Sequence, residues 1–315
     1  MIITIFLLIT GFVILVKGAD FLLDGATSLA KKLSVSDIAI GLTVVAFGTS
    51  SPELIVNIIA SLKGHPEICF GNIVGSNVFN ILVVLGIAGI IYPISVQRNT
   101  VRKEIPFLLI GTILVLALAN NFGFQGHALS RIDGLILVIS LLLFFIYVIG
   151  ISKIPASEEY NIIIYSNLKT VIFIVLGTLG LFFGGKLVVH QAIKIAAEMG
   201  VSDKLIALTI IAFGTSLPEF VTSIIAVTRK RYDLAIGNVI GSNIFNLFMV
   251  LGVSSLINPL EYNLSLNIDM FILILITLIF FVTMFTGKKR KLDRTEACFF
   301  ILLYIGYLFF IINRK

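Results

Sequence analysis

Tryptophan is absent from this chain, histidine occurs three times and cysteine twice, and only 13% of the residues are charged. His65, His127 and His190, like Cys69 and Cys298, are scattered along the sequence, so no zinc or copper ligand spacing can be assembled; the two cysteines are expected as buried thiols. The shortage of charge accompanies 58% hydrophobic residues and a mean hydropathy of +1.10, which excludes a soluble domain of 315 residues. The bilayer has to serve as solvent for so much apolar surface. A net charge of +6 does not indicate nucleic acid, because the lysines and arginines sit in short clusters between apolar runs. No H-E-x-x-H, paired-aspartate or Ser-His constellation is evident, which sets aside an intramembrane protease; no enzyme and no cofactor is expected.

What is present is length of apolar sequence. Runs long enough to cross a membrane fall at about 2–30, 38–62, 71–95, 104–120, 132–151, 169–197, 205–228, 234–257, 269–286 and 296–312. The fold class expected is an all-α polytopic membrane protein of ten transmembrane helices. The first run is apolar enough for a signal peptide, but it lacks a basic flank and its Gly18 matches Gly184, so a permanent helix is expected. The linker 151–168 is short and polar, dividing the chain into halves 1–150 and 169–315. Five spans per half is an odd number, so the halves enter the membrane from opposite sides as inverted repeats. With both termini outside, Lys31, Lys32, Arg98, Arg102, Lys103, Lys153, Lys169, Arg229 to Arg231, Lys288 to Lys291 and Arg294 all become cytoplasmic, as the positive-inside rule requires. The cell membrane is the expected location.

The halves are copies. Val35 to Ile55 (VSDIAIGLTVVAFGTSSPELI) returns 166 positions later as Val201 to Val221 (VSDKLIALTIIAFGTSLPEFV), and Gly71 to Leu82 returns at the same offset as Gly237 to Phe248. Most of the seventeen Asp and Glu residues lie in loops or near span ends, whereas Glu53 and Glu219 lie deep in their spans. A charge at such depth costs about 2.5–3.5 kcal/mol on insertion scales. With no basic residue nearby in sequence, an ion site is the reading favoured over a structural ion pair. Thr49, Ser50 and Glu53 fall at spacings that share one helical face, as do Thr215, Ser216 and Glu219. Pro52 and Pro218 free the carbonyls of Gly48 and Gly214, so carboxylate, hydroxyl and carbonyl form an all-oxygen set of the kind hard cations such as Ca²⁺ and Na⁺ favour.

The second motif carries Asn72, Ser76 and Asn80, and Asn238, Ser242 and Asn246, each trio along one side of a helix. Ser76, Asn80, Ser242 and Asn246 are expected as ligands; Asn72 and Asn238 as readily bond helix to helix. Gly71 and Gly75, like Gly237 and Gly241, have the spacing that lets membrane helices approach closely. Asp20 and Asp24 read as solvated or paired, Asp37 and Asp203 as helix N-caps. Lys288 to Lys291 read as a topology signal, with only weak indication of lipid contact.

These motifs closely resemble the paired α-repeats of the cation/calcium exchanger superfamily, and within it the prokaryotic-type sodium/calcium exchangers. The resemblance rests on G-T-S-x-P-E at Gly48 to Glu53 and Gly214 to Glu219, and on G-N-x-x-G-S-N-x-F-N at Gly71 to Asn80 and Gly237 to Asn246. It implies an antiporter exchanging Na⁺ for Ca²⁺ by alternating access in the lipid bilayer; since symmetry within the chain supplies both halves of the site, a monomer suffices. It further implies four midplane sites: Ca²⁺ between Glu53 and Glu219, Na⁺ at the flanks, with Thr49, Ser50, Thr215, Ser216, Ser76, Asn80, Ser242 and Asn246 around them. The carbonyls of Ala46 and Ala212 are implied for the outer sodium sites, and the first and sixth helices as the sliding pair. Some relatives, including potassium-dependent exchangers, carry Asp at the position of Asn246, so Asn in both copies weakens a potassium-coupled reading. The absence of a cytoplasmic domain departs from animal exchangers, so no separate calcium sensor is expected. A proton/calcium antiporter using the same glutamates is the alternative.

Overall fold

The computed structural model describes residues 2–123, 126–151, 163–200, 212–287 and 290–314. The chain is mostly helical: α1 (Ile2–Leu33), α2 (Asp37–Thr49), α3 (Ser51–Leu62), α4 (Pro66–Ile91), α5 (Ile105–Ala119), α6 (Arg131–Ile151), α7 (Asn167–Glu198), α8 (Leu217–Thr228), α9 (Tyr232–Ile257), α10 (Asn267–Thr283) and α11 (Arg294–Asn313). Among the described residues, seven helices are long and apolar enough to cross a membrane, eight if α2 and α3, bent by 48° at their junction, count as one broken span. The run at 104–120 appears as the shorter α5. That at 205–228 appears as the turn Ala212–Gly214 followed by α8, with its first residues, and with them Asp203, outside the described set.

Four two-residue strands tie the halves together. Ile94–Ser95 pairs antiparallel with Lys291–Leu292, and Ala128–Leu129 with Leu260–Glu261. Each half therefore closes its loops on the other. Arg231 fixes the start of α9 to the start of α2 through a two-pronged pair with Asp37, at 2.7 and 2.5 Å. Asp37 is thus not the N-cap expected of it; Ser36 caps α2, accepting from the Ala39 amide. Asp20 and Asp24 of α1 are paired, both with Arg229 at the end of α8.

The two longest helices, α1 and α7, lie antiparallel: Ser28 meets Thr170, while Gly11, far along α1, meets Val188. Glycine makes that seam possible. A Cβ on Gly177 would lie 2.4 Å from the Leu22 amide nitrogen, and one on Gly18 would lie 2.6 Å from that of Leu181. Backbone packs on backbone at these points, the close approach that small residues permit in membranes. Gly177→Ala is therefore expected to cost about 1–3 kcal/mol, read as a lower unfolding temperature in detergent. Gly306→Ala, where a Cβ meets nothing within 4 Å, serves as the control; matching unfolding temperatures would refute the seam.

The expected close approach at the second motif is seen at Gly237 and Gly241. A Cβ on Gly241 would reach the Ala46 Cβ at 2.7 Å, and one on Gly237 the Ile38 carbonyl at 2.8 Å, which seats α2 against α9. For Gly71 and Gly75 the corresponding partner segment, residues 201–211, lies outside the described residues. Polarity is inverted relative to a soluble protein: Ile2, Ile110, Ile132, Leu302 and Phe309 point outward, while serines, asparagines and two glutamates fill the centre. Cys69 is buried as expected, but Cys298 is exposed on α11.

Candidate ion site

Both G-T-S-x-P-E segments break their helices at the same place. Ser50 (φ −85°, ψ 6°) separates α2 from α3, and Ser216 (φ −87°, ψ 4°) precedes α8. A proline near the start of each new helix lacks the amide that would have continued the old one, and the fixed proline φ suits a first turn. Glu53 and Glu219 consequently sit in the first turns of α3 and α8, where the positive end of the helix dipole favours a carboxylate. Both are fully buried.

The break changes which groups meet. Thr49, Ser50 and Glu53 do not share one helical face, since the helix is interrupted between them; Ser50 instead crosses to the other copy and donates to Glu219 Oε1 at 2.9 Å. Ser216 donates reciprocally to Glu53 Oε1 at 3.5 Å. The Thr49 hydroxyl reaches Asn238 Oδ1 at 2.9 Å and Ser242 Oγ at 3.2 Å, and its counterpart Thr215 reaches Asn72 Oδ1 at 3.1 Å and Ser76 Oγ at 3.4 Å. Glu53, Glu219, Thr49, Ser50, Ser216, Ser76, Asn80, Ser242 and Asn246 are all buried, so the motifs of the two halves converge on one interior locus.

Asn72 and Asn238 serve as helix-to-helix brackets. Besides accepting from the threonines, Asn238 donates to Ser223 Oγ at 2.9 Å and to the Glu219 carbonyl at 3.3 Å, and Asn72 donates to Asn57 Oδ1 at 2.7 Å. The Ala46 carbonyl already accepts from the Ser50 amide at 2.9 Å and the Thr49 hydroxyl at 3.2 Å, so a cation there requires the Thr49 proton to turn to Asn238. In the second copy the Ser216 amide donates to the Phe213 carbonyl at 3.1 Å.

Two asparagines not singled out in the sequence, Asn77 and Asn243, lie buried between the copies. Asn80 donates through Nδ2 to Asn243 Oδ1, and Asn246 through Nδ2 to Asn77 Oδ1, both at 3.0 Å. Asn80 and Asn246 each open a π-helical turn, Asn80–Val84 and Asn246–Val250. Such bulges widen a helix by one residue and frequently mark functional positions.

Once these hydrogen bonds are assigned, Glu53 Oε2, Glu219 Oε2, Asn80 Oδ1 and Asn246 Oδ1 remain buried with no hydrogen-bond partner among the described residues. All four can only accept, given ionised carboxylates. Leaving one such group unsatisfied costs about 1–3 kcal/mol, and more if it is charged. Acceptors of this kind, oxygen from carboxylate and carboxamide, are those a hard cation favours. Glu104 is a third fully buried carboxylate that depth in sequence did not reveal; it accepts from the Tyr147 hydroxyl and touches none of the motif residues through a described hydrogen bond.

Comparison with known proteins agrees with this geometry. The family model for sodium/calcium exchanger protein matches residues 3–151 and 169–313. The sodium/calcium exchanger MaX1 of Methanosarcina acetivorans is 30% identical, over 96% of both chains. The uncharacterized membrane protein MJ0091 of Methanocaldococcus jannaschii is 34% identical over 94% of this chain and 93% of its own. Among solved structures, the sodium-calcium exchanger NCX_Mj soaked with Na⁺ and Sr²⁺ superposes with a TM-score of 0.83 at 32% identity, covering 100% of this chain and 99% of that one. With a matching model over both halves and relatives aligned nearly end to end, the chain belongs to the sodium/calcium exchanger protein family.

Proposed function

We propose that this protein is a secondary antiporter of the cell membrane that exchanges Na⁺ for Ca²⁺ by alternating access. The observation that carries the reading is a quartet of buried oxygens without partners among the described residues, two from carboxylates and two from carboxamides. A proton could satisfy a carboxylate but leaves the two carboxamide oxygens unanswered. A metal cation coordinated by all four satisfies the whole set, which favours Na⁺ over H⁺ as the partner of Ca²⁺.

Glu53 and Glu219 hold the cation charge, Ser50 and Ser216 orient the carboxylates across the copies, and Asn80 and Asn246 supply neutral oxygens. Thr49, Thr215, Ser76, Ser242 and the carbonyls of Ala46 and Ala212 complete the flanking sodium positions. Two carboxylates neutralise one Ca²⁺ or two Na⁺; a third Na⁺ leaves one positive charge, making exchange electrogenic. Both ions need the same glutamates, so they compete.

Ten spans arranged as inverted five-helix halves, 1–150 and 169–315 around the linker 151–168, with both termini outside, fit this role. The antiparallel packing of the equivalent helices α1 and α7 supports inversion, and the distribution of lysine and arginine supports the orientation. The glycine seam couples α1 and α7 as a pair that can move against the bundle holding the carboxylates. A monomer contains the complete site.

The test is ⁴⁵Ca²⁺ uptake into proteoliposomes. Uptake is expected with an outward Na⁺ gradient and at background level with a pH gradient alone. Uptake driven by the pH gradient without Na⁺ would overturn sodium coupling in favour of proton exchange.

A further inference from the structure

Asparagine side chains are ambiguous by 180°, because oxygen and nitrogen can exchange places unless a neighbour decides between them. Here the neighbour that decides is backbone. Asn243 Nδ2 donates to the Asn77 carbonyl at 3.2 Å, and Asn77 Nδ2 donates to the Asn243 carbonyl at 3.3 Å. A carbonyl only accepts, so each side chain must present its NH₂ group to the opposite backbone. Its oxygen is then fixed on the other side, where it meets Asn80 or Asn246. Those residues in turn must offer Nδ2 to that oxygen, at 3.0 Å in each case, which turns their own Oδ1 away from the ring. These are the two carboxamide oxygens left buried and without a partner among the described residues. Asn77, Asn80, Asn243 and Asn246 are each at 0% exposure, so water does not compete for these bonds.

From this chain of forced orientations we propose that Asn77 and Asn243 are positioning residues for cation binding: anchored on each other's backbone, they aim the oxygens of Asn246 and Asn80 at the ion. The inference rests on the proposed function only in taking the site to bind Ca²⁺. The assignment is crossed. Asn77 sits three residues from Asn80 on α4 but orients Asn246 on α9, and Asn243 orients Asn80.

The crossed pattern has consequences that a general packing role lacks. Outer partners of metal ligands typically contribute about 10- to 100-fold in metal affinity. Asn77→Leu, which keeps the side-chain shape and removes both polar groups, is expected to weaken Ca²⁺ affinity by about that factor. In an Asn246→Ala background the oxygen it aims is already gone, and the same change is expected to have less than about a twofold effect. In an Asn80→Ala background it retains its full effect. The mirror variant Asn243→Leu reverses the pattern, coupling to Asn80 and not to Asn246.

Ca²⁺ affinity is read twice, as equilibrium ⁴⁵Ca²⁺ binding to purified protein and as KM for Na⁺-driven uptake, with the unfolding temperature measured for every variant. If Asn77→Leu does not yield folded protein, the Asn243→Leu arm carries the test. Coupling of Asn77 to Asn246 and of Asn243 to Asn80 supports the proposal. Unchanged Ca²⁺ affinity, or equal additional loss in both backgrounds, overturns it. Failure of the exchanger reading appears instead in the unmutated protein, as absence of Na⁺-driven uptake.

Discussion

Glu53→Gln and Glu219→Gln are each expected to abolish Ca²⁺ exchange. Glutamine preserves the volume of the side chain and can still accept from Ser216 or Ser50 through Oε1, so the cross-copy contacts survive. What changes is the other atom. The oxygen that has no protein partner becomes an NH₂ group, which repels a cation where the carboxylate attracted it. One negative charge then faces a divalent ion in a site that excludes water. Truncating one partner of a buried, hydrogen-bonded charge pair costs about 2–5 kcal/mol or more, equivalent to roughly 30- to several-thousand-fold in affinity. ⁴⁵Ca²⁺ uptake in proteoliposomes reads the loss directly. Glu104→Gln provides the comparison, since Glu104 is equally buried yet bonds to Tyr147 on α6 and not to the motif residues. Its exchange activity is expected to persist. Near-normal transport by both motif variants, or equal loss from Glu104→Gln, would refute the assigned site.

The sequence displayed the helices because apolar length is written into it directly. Each predicted run overlaps helix in the described residues, although α5 falls short of a full apolar span, the run at 71–95 leaves helix after Ile91, and the start of the seventh run lies outside them. Pro52 and Pro218 likewise announced the breaks at Ser50 and Ser216, since a missing amide is a local property. The π-helical turns at Asn80 and Asn246 were not legible. A shift from α to π hydrogen bonding has no residue signature of its own and emerges from what the helix packs against. The same limit explains Asp37, which lies one residue inside the helix it was expected to cap and spends its charge on Arg231, 194 residues away.

The carboxylates of the candidate site were legible because a charge deep in an apolar run is costly enough to demand a reason. Their partners were not, because spacing rules describe neighbours on one continuous helix. Thr49 and Ser50 were read as companions of Glu53, yet the broken helix sends them to Asn238 and Glu219 in the other half. Asn77 and Asn243 fell off the four-residue stripe of the second motif, so periodicity passed over them. Only the meeting of α4 and α9 shows that they clasp each other's backbone. Glu104 escaped notice because it opens its span, where acidic residues are ordinarily solvated.

Vesicles loaded with Ca²⁺ and diluted into medium free of Na⁺ and Ca²⁺ are expected to retain it, whereas adding either cation outside releases it. The reason lies in the empty site. Each carboxylate keeps one oxygen on a serine hydroxyl and one without a partner, so returning across the barrier unloaded moves two poorly compensated negative charges. At about 2.5–3.5 kcal/mol per buried charge the penalty is roughly 5–7 kcal/mol, a slowing on the order of 10³- to 10⁵-fold relative to the neutral, Ca²⁺-loaded carrier. Coupling then needs no separate gate, because the site that binds the ions is the one that forbids movement without them. Membrane potential must be clamped with a K⁺ ionophore during the assay, so that charge build-up cannot imitate the barrier. Under that clamp, Ca²⁺ efflux into cation-free medium at a rate comparable to exchange would show that the empty carboxylate pair crosses freely, and the electrostatic origin of coupling would fall.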